Sequence, residues 1–202
     1  MANIGSYFSI SAIFIFSLFT TSPSLCLAAR KFLSSETDTK FIKTWCDATT
    51  YPDLCFVTFS SYAAEIQDSP KTITTKSLFV ALNSTRSASK NLTDISKTQG
   101  LKPRETEALQ DCVEEIGDSI DELKRSIVEM DETAGKSFAF RMSDIQTWVS
   151  AALTDEDTCM DGFSETAIDG DVKANMRTLI EKVAHLTSIS LAFVNHYAGA
   201  NK

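Results

Sequence analysis

The chain has 202 residues, with 27 acidic against 19 basic side chains and a formal net charge of −8. Nucleic-acid binding requires a basic footprint, and this balance excludes it. Only 7 glycines and 4 prolines interrupt the chain, and strand-like alternation is weak, which points to a single all-α domain.

Tyr7–Phe19 is an unbroken run of apolar and small residues, shorter than the ~20 a bilayer span needs. Pro23 and small residues ending at Ala28 and Ala29 follow. This is the layout of a cleaved secretory segment over residues 1–28, although no Lys or Arg precedes the run. The rest of the chain, 29–202, holds no further apolar stretch long enough to span, so no membrane association is expected after cleavage. Arg30–Asp38 is polar and reads as an irregular leader. A short helix then covers Thr39–Asp47. Thr49 and Thr50 turn the chain, and Pro52 suits the first position of a second short helix, where its missing N–H costs nothing. Residues 39–66 are thus expected to form a helical hairpin.

Four long helices follow over residues 70–198. The first opens at Ser69-Pro70 with Ser69 as its cap, and its seam is Ile73, Ser77 with Leu78, Val80 with Ala81, Ala88, Leu92 and Ile95. Gly100 stops it. The second, Pro103–Asp131, has the strictest seam: Leu109, Cys112, Ile116, Ile120, Leu123, Ile127 and Met130 recur at three- and four-residue steps. At 1.5 Å per residue this helix is roughly 43 Å long and must be covered by others of similar length. Gly135 breaks the chain, and Ser143 with Gln146 has the spacing of a capping box, with Phe138–Met142 as a possible extension. The third helix carries Met142, Ile145, Trp148 with Val149, Ala152, Cys159 and Phe163. After Asp169-Gly170 the fourth, Val172–Tyr197, carries Val172, Met176, Leu179, Val183, Leu186, Ser190, Phe193 and Tyr197. Such elements with short connections build an up-down-up-down four-helix bundle.

Cys26 leaves with the secretory segment, and four cysteines remain, which allow three pairings. An oxidising compartment favours forming two bridges. Cys46 and Cys55 flank the hairpin turn, a local closure. Cys112 lies about 23 residues before Gly135 and Cys159 about 24 after it, which puts both at one height of an antiparallel helix pair, within disulfide reach. The expected bridges are therefore Cys46–Cys55 and Cys112–Cys159. Asn83-Ser84-Thr85 and Asn91-Leu92-Thr93 are glycosylation sequons on the first long helix, so sugars at Asn83 and Asn91 would sit on its outer face.

Catalytic and cofactor chemistry finds little support. His185 and His196 are the only histidines, and one His with Glu181 a turn away is too few ligands for a metal. With the cysteines bridged, no thiol nucleophile is left. No phosphate loop or nucleophile elbow is present, and Asp169-Gly170-Asp171 lacks the ligand order of a calcium loop. No catalytic residue, metal or cofactor is assigned. What stands out is acid along one face of Pro103–Asp131: Glu107, Asp111, Glu114, Glu115, Asp118 and Glu122. Like charges four apart cost about 0.2–0.5 kcal/mol per pair, and Asp121 with Arg125 is the clearest compensating pair. Asp155-Glu156-Asp157, just before Cys159, is expected to extend the same negative surface. A partner's cations, or protonation in an acidic compartment, would relieve the repulsion.

Three stretches carry a resemblance. Cys46 with Tyr51-Pro52-Asp53-Leu54-Cys55, Ala108-Leu109-Gln110-Asp111-Cys112, and Gln146–Leu153 running on to Thr158-Cys159 resemble the plant invertase and pectin methylesterase inhibitors. The likeness extends over about Phe41–Asn195. It implies that family's fold, an N-terminal helical hairpin on a four-helix bundle with cysteines one–two and three–four bridged. The Pro-Lys-Phe motif typical of invertase inhibitors is absent from this chain, so the resemblance implies the pectin methylesterase branch. It further implies a non-catalytic, secreted inhibitor in the cell wall or apoplast, covering the esterase's pectin-binding cleft through helices of the bundle. A family threonine just before the fourth cysteine touches the enzyme and matches Thr158. In some relatives the domain precedes an esterase; with its last residue at Lys202, this chain is expected to act as a free-standing monomer.

The resulting expectation is a stoichiometric inhibitor of pectin methylesterase that docks through Thr158 and the acidic row Asp111, Glu115, Asp118 and Glu122, which would meet basic groups of the enzyme. Such a contact would weaken with salt and as acid neutralises the row. The rival readings are an inhibitor of cell-wall or vacuolar invertase and, from another class, a helical carrier of an apolar ligand, which would need an unfilled cavity among these crowded seams.

Overall fold

A computed structural model describes residues 24–97, 100–132, 135–165 and 171–201, and all elements among them are helices. The expected secretory run before Ser24 and the Asp169-Gly170 connection lie outside the described residues. The helices are α1 (Ser24–Asp47), α2 (Pro52–Ser60), α3 (Ala63–Ile66), α4 (Pro70–Ser96), α5 (Pro103–Asp131), α6 (Phe138–Glu165) and α7 (Asp171–Ala200). Each of α4 to α7 packs against its two neighbours around a square: α4 on α5, α5 on α6, α6 on α7 and α7 back on α4. This is the four-helix bundle, with α1–α3 as the N-terminal hairpin.

Most boundaries have a visible chemical cause. Prolines open α2, α4 and α5 at a position that needs no N–H. Ser69 Oγ accepts the Thr72 amide proton at 3.2 Å and caps α4. Glu105 reaches back to the Lys102 N–H at 2.8 Å to cap α5. The turns on either side of α5 carry Gly100 at φ +89° and Gly135 at φ +83°, a region open to glycine without strain.

Three local expectations are corrected. The leader over Arg30–Asp38 is helical, part of α1, because no Gly or Pro interrupts the chain between Pro23 and Pro52 and Lys40 pairs with Glu36 across one turn at 2.7 Å. The Ser143–Gln146 capping box does not form. α6 starts at Phe138, with Ser137 Oγ accepting from the Phe140 amide at 3.3 Å, while Gln146 donates to Asn195 on α7 at 2.7 Å. Asp121 forms its ion pair with Lys124 at 2.8 Å, with Arg125 a lesser favourable charge nearby.

The interior falls into three apolar clusters. One, toward the Gly135 turn, holds Leu78, Leu82, Leu123, Ile145 and Val194. A second surrounds the Cys112–Cys159 bridge with Leu92, Leu109, Ile116, Phe163 and Met176. The third fastens the hairpin to the bundle, with Ile42, Trp45, Phe59 and Ile66 against Ile73, Leu186, Ile189 and Phe193. His196 packs at a tilt against Trp45 and His185 stacks on Tyr51, so both histidines pack the hairpin onto α7. Both disulfides are present: Cys46–Cys55 with Cα atoms 5.4 Å apart, and Cys112–Cys159 at 4.4 Å.

Candidate functional site

The α5–α6 pair is stapled by Cys112–Cys159 and flanks a cleft of about 280 Å³ lined by Ala108, Asp111, Glu115, Thr158, Asp161, Gly162 and the bridge itself. Thr158 and two members of the acidic row therefore meet in one concavity. The disulfide forms its floor and holds the two walls at fixed spacing.

The four acidic candidates are not equivalent. Asp111 and Asp118 are exposed, whereas Glu115 and Glu122 are half-buried and turn toward α6. There they meet Asp155, also half-buried. Glu122 Oε2 and Asp155 Oδ2 are each shut off from solvent without a hydrogen-bond partner among the described residues. Burial, then the nearby Asp155 carboxylate, push the Glu122 carboxyl up to about 7, against a smaller opposing pull from Arg125. Burial, then Glu115 and Asp118, push Asp155 up to about 6. Glu115 is raised for the same reasons, burial first and then Asp118, Glu114 and Asp111. The row is thus two features: an outer pair that faces solvent, and a crevice whose carboxyls are all raised above the usual carboxylate range.

Thr158 sits on an exposed ladder of α6. Its Oγ1 donates to the Thr154 carbonyl at 2.8 Å, Thr154 Oγ1 to Ser150 at 3.0 Å and Thr147 Oγ1 to Ser143 at 2.9 Å. With its hydroxyl bonded to the helix, each threonine has its χ1 held. The surface beside the cleft is short-chained and pre-ordered, which lowers the entropy lost when another protein covers it.

Glu156 departs from the expected negative surface. It is fully buried, its Oε1 accepting from Ser119 of α5 at 2.8 Å and from Thr187 of α7 at 2.9 Å. Burial pushes its carboxyl up to about 8 despite those two hydrogen bonds. Spacing alone identifies the position, because Val149, Ala152, Glu156, Cys159 and Phe163 follow the three-and-four rhythm of the α6 seam. Its charge made it look like surface. Asp161, which faces Asp157 one turn away and helps raise its pKa after burial, is the further cleft acid the sequence left unmarked.

Asn83 and Asn91 are both exposed on α4. Among the described residues no group of three or more His, Cys, Asp or Glu is arranged to hold a metal ion, and no helix is long and apolar enough to cross a membrane.

Comparison with known proteins fits this architecture. Residues 40–193 match the family described as plant invertase/pectin methylesterase inhibitor. A 21 kDa protein of Daucus carota is 45% identical over 166 residues, covering 81% of this chain and 86% of that one. Pectinesterase inhibitor 9 of Arabidopsis thaliana is 41% identical, covering 81% and 83%. Pectinesterase inhibitor 10 of the same plant is 44% identical over 84% of this chain, which spans about half (54%) of that protein's length. The crystal structure of a mutant form of a pectin methylesterase inhibitor from Arabidopsis superposes with a TM-score of 0.60 at 23% identity, over 76% of this chain and 95% of that one, which supports the fold. Matched over most of its length, the chain belongs to the plant invertase/pectin methylesterase inhibitor family, a family of inhibitors rather than enzymes.

Proposed function

We propose that the protein is a secreted inhibitor of pectin methylesterase that forms a one-to-one complex and covers the enzyme's pectin-binding cleft with its α5–α6 face. The observation that carries this reading is the convergence of Thr158, Asp111 and Glu115 on one disulfide-floored cleft, in a chain whose similar relatives include proteins named pectinesterase inhibitors. A cleft that binds a polyanion offers cations to a docking protein. Asp111 and Asp118 face outward to meet them, and the threonine ladder supplies a surface that needs little ordering. Regulation of wall pectin methylesterification in the apoplast follows from that complex.

The test is a titration of pectin methylesterase activity with purified protein, run beside an invertase titration. A sharp end point at one equivalent of inhibitor, with invertase unaffected, is the expected result. Inhibition of invertase alone would move the reading to the other branch of the family. A variant neutralising Asp111, Glu115, Asp118 and Glu122 that inhibits as well as the parent, with the same salt response, would remove the acidic row from the interface.

A further inference from the structure

We propose that Asn91 carries an N-linked glycan whose first sugars lie in the groove between α4 and α7. The idea rests on export through the secretory route, as in the function proposed above, and adds a modification site on the opposite side of the molecule. Two sequons occur in the chain, and both asparagines are exposed on α4, but their surroundings differ. Asn91 itself lines a groove of about 440 Å³, together with Asp94 and Ile95 of α4 and Asn175 and Leu179 of α7. Asn83 lies outside this groove.

The lining suits a sugar. Ile95 and Leu179 are half-buried aliphatic groups against which the C–H face of an N-acetylglucosamine ring can rest. Asn175 and Asp94 are exposed and offer an amide and a carboxylate to its hydroxyls and acetamide. The groove is shallow and open and its lining is polar and apolar in similar measure, so a sugar would rest along it rather than be enclosed. Attachment at Asn91 makes the contact intramolecular, so even weak complementarity is satisfied at high effective concentration. The groove also explains how a bulky, solvated adduct leaves function intact. In the square of helices, the α4–α7 groove lies across the bundle from the α5–α6 cleft.

The full chain is expressed in plant cells held to high-mannose glycans, alongside a version with a borrowed secretory signal in place of residues 1–28, and the secreted protein is analysed by glycopeptide mapping and thermal melting. Asn91 is expected to be occupied. Asn91→Gln and Thr93→Ala, which destroy the same sequon at different atoms, should each lower the melting temperature by about 2–4 °C. Endoglycosidase H trimming to the first sugar should preserve most of the difference, and neither substitution should lower the melting temperature of protein made in bacteria. Asn91 found bare in the secreted protein, or equal melting of the glycosylated parent and both variants, would overturn the proposal. If only the version with the borrowed signal is exported, the export reading falls and takes the glycan with it; if the natural chain is exported with Asn91 bare, the glycan proposal falls alone.

Discussion

A carboxyl group inside a helical bundle destabilises the fold unless it keeps its proton or finds a cation. Glu156 has no cation among its hydrogen-bond partners, only the hydroxyls of Ser119 and Thr187 on one oxygen and no partner among the described residues on the other. It sits at a boundary: Ala152 before it belongs to the cluster near the Gly135 turn, and Cys159 after it to the cluster around the bridge. Ser119 divides α5 the same way, between Ile116 and Leu123, and buried Thr85 divides α4 between Leu82 and Ala88. The sign of the pH effect follows from the raised pKa. The folded state holds the Glu156 proton more tightly than the unfolded chain, so its contribution is fully favourable at or below the ordinary glutamate value of 4.5 and is lost as pH rises toward about 8. The melting temperature should therefore fall between pH 5 and pH 8, by something on the order of 5–10 °C. Glu156→Gln keeps an acceptor for Ser119 and Thr187 but cannot ionise. It should melt like the parent at pH 5 and above it at pH 8, as thermal scans at the two pH values would read out.

The α5–α6 crevice turns the same chemistry toward a partner. Glu122 and Asp155, raised to about 7 and about 6, are mostly neutral at pH 5. A protein laid over them removes more water and raises both values further, so complex formation takes up protons. Binding through the crevice should then tighten as pH falls from 7 to 5, opposite in sign to the weakening expected for a uniformly exposed acidic row. The paired change Glu122→Gln with Asp155→Asn should flatten the pH dependence of the inhibition constant, while Asp111→Asn with Asp118→Asn should instead flatten its salt dependence. On the threonine ladder, Thr158→Lys keeps the helix but places a long, charged stem at the cleft mouth. It should weaken inhibition at least about tenfold, roughly 1.4 kcal/mol, with the melting temperature unchanged within error. The four long helices, their order and the Cys112–Cys159 staple were legible because seam periodicity and cysteine height are sequence properties. The division of the row was not. Whether a carboxylate four residues from another faces solvent or a neighbouring helix depends on a few degrees of helix rotation, and Glu115 and Glu122 rotate inward where Asp111 and Asp118 do not.

At the scale of the whole molecule, the two disulfides close loops of different size and should fail differently. Cys112–Cys159 joins positions 47 residues apart on the two helices that build the cleft, and in the chain-entropy model a loop of that length contributes about 4 kcal/mol. Cys46–Cys55 spans 9 residues, for which the same model gives about 2.6 kcal/mol, confined to the hairpin. The hairpin is also held by Trp45 and Phe59 packed on Phe193, whereas the upper walls of the cleft have the bridge as their floor. Replacing Cys112 and Cys159 by serine should lower the global melting temperature by roughly 8–16 °C, at 2–4 °C per kcal/mol for a chain of this size. Inhibition should weaken even at 20 °C, because the spacing between Thr158 and Asp111 is no longer fixed. Replacing Cys46 and Cys55 should leave the bundle transition within a few degrees of the parent and instead speed hydrogen exchange in α1 and α2. If the two double variants melted alike and inhibited alike, the bridge would be a general staple, and the cleft would owe its geometry to the apolar seams alone.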